Sequence, residues 1–152
     1  IIQWPHPEKP WEMPDSGHID GYPPPAGWAP FMVGATTYLY DVEPHGGSFV
    51  YWPESHKSTH TYFLEHQEQV NGSFRDLGIV GEFTRRAPHE PREFTARAGD
   101  ILLWHSYMCH TGSHNASHSP RFAVVVRFSH VRTEEHEFRY EIPEDLWKYW
   151  AV

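Results

Sequence analysis

His18 and Asp20 stand two positions apart in the stretch "GHIDGY" at residues 17–22. On an extended segment, side chains at i and i+2 project to the same face, so such a pair can bind one metal ion. Chance is a competitor. The chain has 13 His and 20 acidic residues, and two other His-x-acid triplets occur, His6-Pro7-Glu8 and His66-Gln67-Glu68. The first lies among prolines and reads as exposed loop. The second falls in a helical stretch, where i and i+2 diverge, and reads as solvated helix surface. The meaning of His18 and Asp20 therefore depends on what stands downstream.

A mononuclear iron site needs two histidines and one carboxylate on one face of an octahedron, with the remaining positions open to a chelating co-substrate and O2. The third donor must come from a distant strand. His110, in "WHSYMCHTGSHNASHSPRFAVVVRFS", is the candidate, and His105 competes with it. Arg121 opens the strongest strand of the chain and shares a face with Ala123 and Val125. An arginine on an apolar, inward face is costly unless an anion pairs with it. Arg121 therefore reads as a cation presented to an anion inside a barrel. Arg127 is its rival on the same strand face, with a surface salt bridge as its plainer role. Cys109 reads as a small packed residue, His56 as support for a turn after Pro53, and His114 and His118 as loop histidines in solvent. Trp52 and Trp104 lie near the motif segments and are candidates to line a pocket, core packing being the plainer alternative.

The elements that must position these residues are short strands between Pro/Gly turns, which point to an all-β sandwich or barrel. Residues 1–30 read as a proline-rich loop interrupted at His18–Tyr22, with Pro23–Pro25 as an extended spacer. A strand is expected over Met32–Val42, where β-branched and aromatic residues dominate. "EPHGG" turns the chain, and "SFVYWP" closes a hairpin with that strand. Residues 58–70 suggest a short helix capped by Ser58 or Thr59, and 71–90 are mixed. "REFTARAGDILLWHS" holds two strands around a turn at Ala98-Gly99-Asp100. "TGSHNASHSP" is a polar loop, long enough to return Arg121 on a neighbouring antiparallel strand. Pro143 and "EDLWKYW" suggest one or two helical turns. There are no repeats, so 1–152 is expected to be one domain.

Composition narrows the function classes. The net charge is −8 with 12 Lys+Arg and no basic block, which disfavours nucleic acid and anionic membrane as partners. No apolar run approaches the roughly 18 residues of a membrane span, and the start lacks the basic-then-apolar pattern of a signal peptide. One cysteine allows no internal disulfide, which fits a reducing compartment such as the cytoplasm or simply a fold that needs no staples. Aromatics at 16% with 14 Pro and 11 Gly repeat the all-β indication.

Three stretches together resemble the phytanoyl-CoA dioxygenase family of iron(II)- and 2-oxoglutarate-dependent oxygenases: "HID" at 18–20, "GGSFVYWPESHK" at 46–57 and "AGDILLWHSYMCHTGSHNASHSPR" at 98–121. The resemblance covers about residues 17–130. It implies an all-β double-stranded β-helix (jelly roll) with His18, Asp20 and His110 as iron ligands, and its spacing favours His110 over His105. It also implies that Arg121 pairs with the far carboxylate of 2-oxoglutarate. The expected activity is hydroxylation of a small organic molecule with O2. Asp20 argues against halogenation, because halogenating relatives replace this carboxylate with a small residue. Family members carry a longer stretch before the His-x-Asp than the seventeen residues here. An open barrel flank is therefore expected, with exposed aromatics or a partner chain or second copy covering it. The alternatives are a non-catalytic binding module on the same fold and a cupin-type metalloprotein. The second is weakened by the lack of a good His-x-His.

Overall fold

The computed structural model describes residues 1–21, 33–66 and 80–129. Seven strands and two helices lie in these residues. They are β1 (Ile2–Gln3), β2 (Val33–Tyr38), β3 (Phe49–Tyr51), α1 (Ser55–Glu65), α2 (Val80–Arg86), β4 (Arg92–Phe94), β5 (Ile101–His105), β6 (His110–Gly112) and β7 (Arg121–Phe128). The strands form two antiparallel sheets, one in the order β1-β7-β2-β5 and one in the order β4-β3-β6.

The larger sheet follows from period-two patterning. Along β2, Gly34, Thr36 and Tyr38 are buried and the residues between them half-buried. Along β7, Arg121 and Ala123 are buried while Val124 and Val126 face outward. Cross-strand register stacks the inner positions into rungs: Tyr38 opposite Ala123, Thr36 between Val125 and Leu102, and Gly34 between Arg127 and Trp104. Gly34 is small for a reason. A Cβ there would lie 2.1 Å from the Trp104 indole, so the glycine lets that ring lie across the sheet. Trp104 then packs on Phe49 of the smaller sheet, with centroids 5.6 Å apart, and its Nε1 donates to Thr36 Oγ1 at 3.0 Å.

The Tyr38 hydroxyl ties the sheets together. It donates to the Phe94 carbonyl (3.0 Å) and accepts from the Phe49 amide (2.8 Å). On the other side of the smaller sheet the two helices close a second core. There Phe63, Phe83 and Tyr62 pack against Val50, Trp52 and Ile19. Each phenylalanine buried in this way contributes about 1.5–3 kcal/mol.

Several expectations change. The strand expected over Met32–Val42 ends at Tyr38, and Val42 makes only an isolated bridge to Ala96. β2 and β3 do not form a hairpin, because they lie in different sheets. The turn between them, with His45 and Gly47 at positive φ, carries the chain from one sheet to the other. For the same reason β6 and β7 are not neighbours. Helix α1 begins at Ser55 rather than near Ser58. Glu54 is its N-cap and makes no side-chain cap bond, while the Ser55 hydroxyl accepts from the Cys109 amide at 2.8 Å. The turn at Gly99 is present, with positive φ and Asp100 Oδ2 accepting from the Arg97 amide. The N-terminal loop contributes an edge strand that patterning missed, Ile2 pairing with Phe122 and Gln3 with Arg121. Met32, the Pro23–Pro25 spacer, residues 67–70 of the expected helix, much of the mixed 71–90 region and the C-terminal turns lie outside the described residues.

The outer face of the larger sheet carries Ile101, Leu103, Val124, Val126 and Phe128, all substantially exposed. No helix among the described residues is long and apolar enough to cross a membrane.

Candidate metal centre

The segment Gly17–Gly21 lies against the loop and strand at 106–110. His18 and His110 form an isolated antiparallel bridge and exchange backbone hydrogen bonds of 2.9 and 2.8 Å. Gly21 N donates to the Ser106 carbonyl at 3.0 Å. Both flanking glycines are dictated by this close approach. A Cβ on Gly17 would lie 2.6 Å from the Trp52 ring and 2.8 Å from the His110 carbonyl oxygen, and one on Gly21 would lie 2.4 Å from the Ser106 Cβ. The segment is extended, so Ile19 turns into the helix-side core, 2% exposed. His18 and Asp20 turn together to the other side.

There they meet His110. His18 Nε2 is 3.3 Å from Asp20 Oδ1, and His110 Nε2 is 3.7 Å from Asp20 Oδ2. One donor atom from each of the three lies within 4.8 Å of the others. The His110 ring is locked. It stacks on Phe49 (centroids 4.9 Å) and leans on Trp104 (4.5 Å) and His18 (4.6 Å). Its Nδ1 lies 2.9 Å from the Met108 carbonyl. A carbonyl can only accept, so Nδ1 carries the proton and the neutral ring keeps its Nε2 lone pair for a ligand. The donor set, two imidazoles and one carboxylate, suits iron(II).

Burial opposes ionisation of the Asp20 carboxyl, but the neighbouring His110, His18 and Arg127 outweigh it and hold the group well below the usual carboxylate range. Arg127 Nε donates to Asp20 Oδ2 at 3.1 Å, and Arg127 Nη2 contacts the same oxygen. The salt bridge expected for Arg127 is thus present, half-exposed, and its partner is one of the three clustered donors. His105 is engaged elsewhere. Its Nδ1 accepts from the Tyr107 amide at 3.0 Å, and its ring faces His56 and Tyr107.

The cluster opens onto a cavity of about 190 Å³ between the sheets, walled by Thr36, Phe49, Trp104 and Val125, with Arg121 also lining it. Arg121 is 7% exposed. Its Nε donates to the Gly47 carbonyl at 2.6 Å, and its guanidinium lies 5.8 Å from the Tyr38 ring centroid. Among the described residues no carboxylate pairs with it, and burial lowers its pKa from the usual value. A cation buried without a counter-charge is costly.

The loop that delivers Arg121 is pinned by Asn115, which is fully buried. Its Nδ2 donates to the Gln3 and Ser119 carbonyls, and its Oδ1 accepts from the amide and hydroxyl of Ser117. The Asn-x-Ser element is therefore a loop staple. Cys109 is fully buried, its thiol pushed up by burial. Trp104 lines the cavity, whereas Trp52 packs beneath Gly17 in the helix-side core. His118 is exposed but His114 is only half so, with its ring stacked near His6. Sequence reasoning missed Arg127 as a neighbour of the cluster. Its place on the same strand face as Arg121 was the available signal.

Two facing antiparallel sheets with His, Asp and His gathered at the mouth of the space between them define a double-stranded β-helix with a two-histidine, one-carboxylate centre. Residues 9–123 match the family model of phytanoyl-CoA dioxygenase (PhyH), and the chain belongs to that family. No curated protein sequence matches it. Among solved structures it is similar to the non-heme alpha-ketoglutarate-dependent carbocyclase SnoK from nogalamycin biosynthesis. The identity is 24% and the TM-score 0.54, over 84% of this chain and 46% of that one. It is also similar to AviO1 from Streptomyces viridochromogenes Tue57 (18%, TM-score 0.51, 86% and 48%). A third likeness is to EvdMO1 (19%, TM-score 0.52, 86% and 26%). These are likenesses of fold. The chain spans less than half the length of each of these proteins.

Proposed function

We propose that residues 1–152 form a single PhyH-like domain of an iron(II)- and 2-oxoglutarate-dependent dioxygenase that hydroxylates a small organic molecule in the cytoplasm. His18, Asp20 and His110 are the residues that would hold iron, and Arg121 the one that would take the distal carboxylate of 2-oxoglutarate. The observation that carries this reading is the pairing of two features in one cavity: three convergent metal donors, and a buried arginine without a carboxylate partner among the described residues.

When bound, iron and 2-oxoglutarate supply the oxidative chemistry. O2 is consumed, the co-substrate loses CO2 and becomes succinate, and one oxygen atom enters a C–H bond of the substrate. The protein's own part is positional. Met108 holds the His110 tautomer, Phe49 and Trp104 hold its ring plane, and the two glycines press His18 and Asp20 against it. Thr36, Phe49 and Val125 wall the cavity, and Arg121 offers a planar fork to a carboxylate. The exposed apolar face of the larger sheet is where a partner chain or second copy would sit.

The test is an anaerobic titration of the chain with Fe(II) and then 2-oxoglutarate, read by difference absorption, followed by O2 and assay for succinate. A weak visible charge-transfer band and succinate formation are expected. Metal binding without the band points to a cupin-type metalloprotein, and no metal binding at all points to a non-catalytic module.

A further inference from the structure

Arg127 sits on the same inward face of β7 as Arg121, six residues along, which places the two Cα atoms roughly 20 Å apart at the usual strand rise. Its rung partners are Gly34 and Trp104. The Asp20 carboxylate is divided between two neighbours. Oδ1 faces His18 Nε2 at 3.3 Å. Oδ2 lies 3.7 Å from His110 Nε2, but it accepts from both Nε and Nη2 of Arg127.

We infer that Arg127 is a positioning residue that commits Asp20 Oδ2 to its own N–H donors, leaves Oδ1 as the single ligating oxygen, and thereby keeps a coordination position open for the 2-oxo acid and O2. The inference rests on the metal-site reading above. A carboxylate can bind a metal through one oxygen or both. Three protein donors leave three positions of an octahedron. A chelating 2-oxo acid takes two and O2 the third, so a second Asp20 oxygen would displace one of them. Two donors of one rigid plane converging on Oδ2 hold that oxygen in place, which a single ammonium on a flexible stem does less well. Because the guanidinium is half-exposed, its contribution is to orientation more than to fold stability.

The experiment uses the full chain with Arg127→Gln and Arg127→Lys, and Arg121→Ala as comparison. Fe(II) affinity is measured anaerobically by equilibrium dialysis without co-substrate. The charge-transfer band is then titrated with 2-oxoglutarate and, separately, with 2-oxobutyrate, which lacks the distal carboxylate. Arg127→Gln is expected to keep its melting temperature and its Fe(II) affinity. Its half-saturating concentration should rise about 10- to 100-fold for both acids, the range for lost support of a metal ligand. Arg127→Lys should restore part of that loss. Arg121→Ala should weaken 2-oxoglutarate far more than 2-oxobutyrate.

Unchanged titrations in Arg127→Gln overturn the inference. So does a loss confined to 2-oxoglutarate, which would make Arg127 a carboxylate anchor, or a loss of Fe(II) binding together with folding, which would make it structural. A wild-type chain that binds no Fe(II) overturns the metal-site reading itself, and is told apart because it fails before any variant is compared.

Discussion

Truncating Arg121 to alanine tests the co-substrate end of the cavity most directly. The guanidinium is 7% exposed, and its Nε is already bonded to the Gly47 carbonyl. The remaining N–H groups are therefore held in a fixed direction before any ligand arrives. Removing one partner of a buried, hydrogen-bonded charge pair costs about 2–5 kcal/mol. The upper end does not apply, because alanine leaves a space that water can enter and solvate the ligand's carboxylate in part. About 2–4 kcal/mol remains, which is roughly a 30- to 700-fold weaker binding of 2-oxoglutarate. Iron affinity should be unaffected, since Arg121 is not among the three clustered donors. The assay is anaerobic titration of the iron-loaded chain with 2-oxoglutarate, alongside the Michaelis constant in turnover. Arg121→Lys should recover only a fraction, because it restores the charge without the fork. If Arg121→Ala binds 2-oxoglutarate as tightly as the parent, the anion-site argument fails. If Arg127→Ala shows a loss confined to 2-oxoglutarate instead, Arg127 and not Arg121 is the carboxylate anchor.

Asp20→Ala should abolish hydroxylation and weaken Fe(II) binding in dialysis. The parent, tested in chloride buffer, should give no chlorinated product by mass spectrometry. Gly17→Ala forces a Cβ against the Trp52 ring and the His110 carbonyl, so it should cost about 1–3 kcal/mol, several degrees of melting temperature, and weaken metal binding with it. Cys109, buried with its thiol pushed up by burial, should resist thiol reagents at mildly alkaline pH in the folded chain and react at once in denaturant.

Much of the candidate site could be read in the chain because its parts follow local rules. An extended His-x-Asp places both side chains on one face, and an arginine at the head of a β-branched strand stands out against apolar neighbours. What could not be read were relations between distant segments. Nothing local in "EPHGG" distinguishes a hairpin turn from one that changes sheets; that depends on His45 and Gly47 at positive φ and on the Tyr38 hydroxyl joining strands across the gap. Helix α1 starts early because the Ser55 hydroxyl is used by the Cys109 amide, a tertiary bond that no capping rule contains. Arg127 looked like a surface residue because its partner lies 107 positions away in the chain.

That separation has a kinetic consequence. The donor cluster exists only when His18 is bridged to His110, so the segments must close a very long loop before any metal can be chelated. Loop closure on that scale belongs to the late, non-local part of folding. A metal ion in the refolding medium would then find no preformed site in the early chain. It would act afterwards by mass action, holding the closed state in proportion to the logarithm of its concentration over its dissociation constant. The melting temperature should thus rise with added Fe(II), while the early phase of refolding should be indifferent to it.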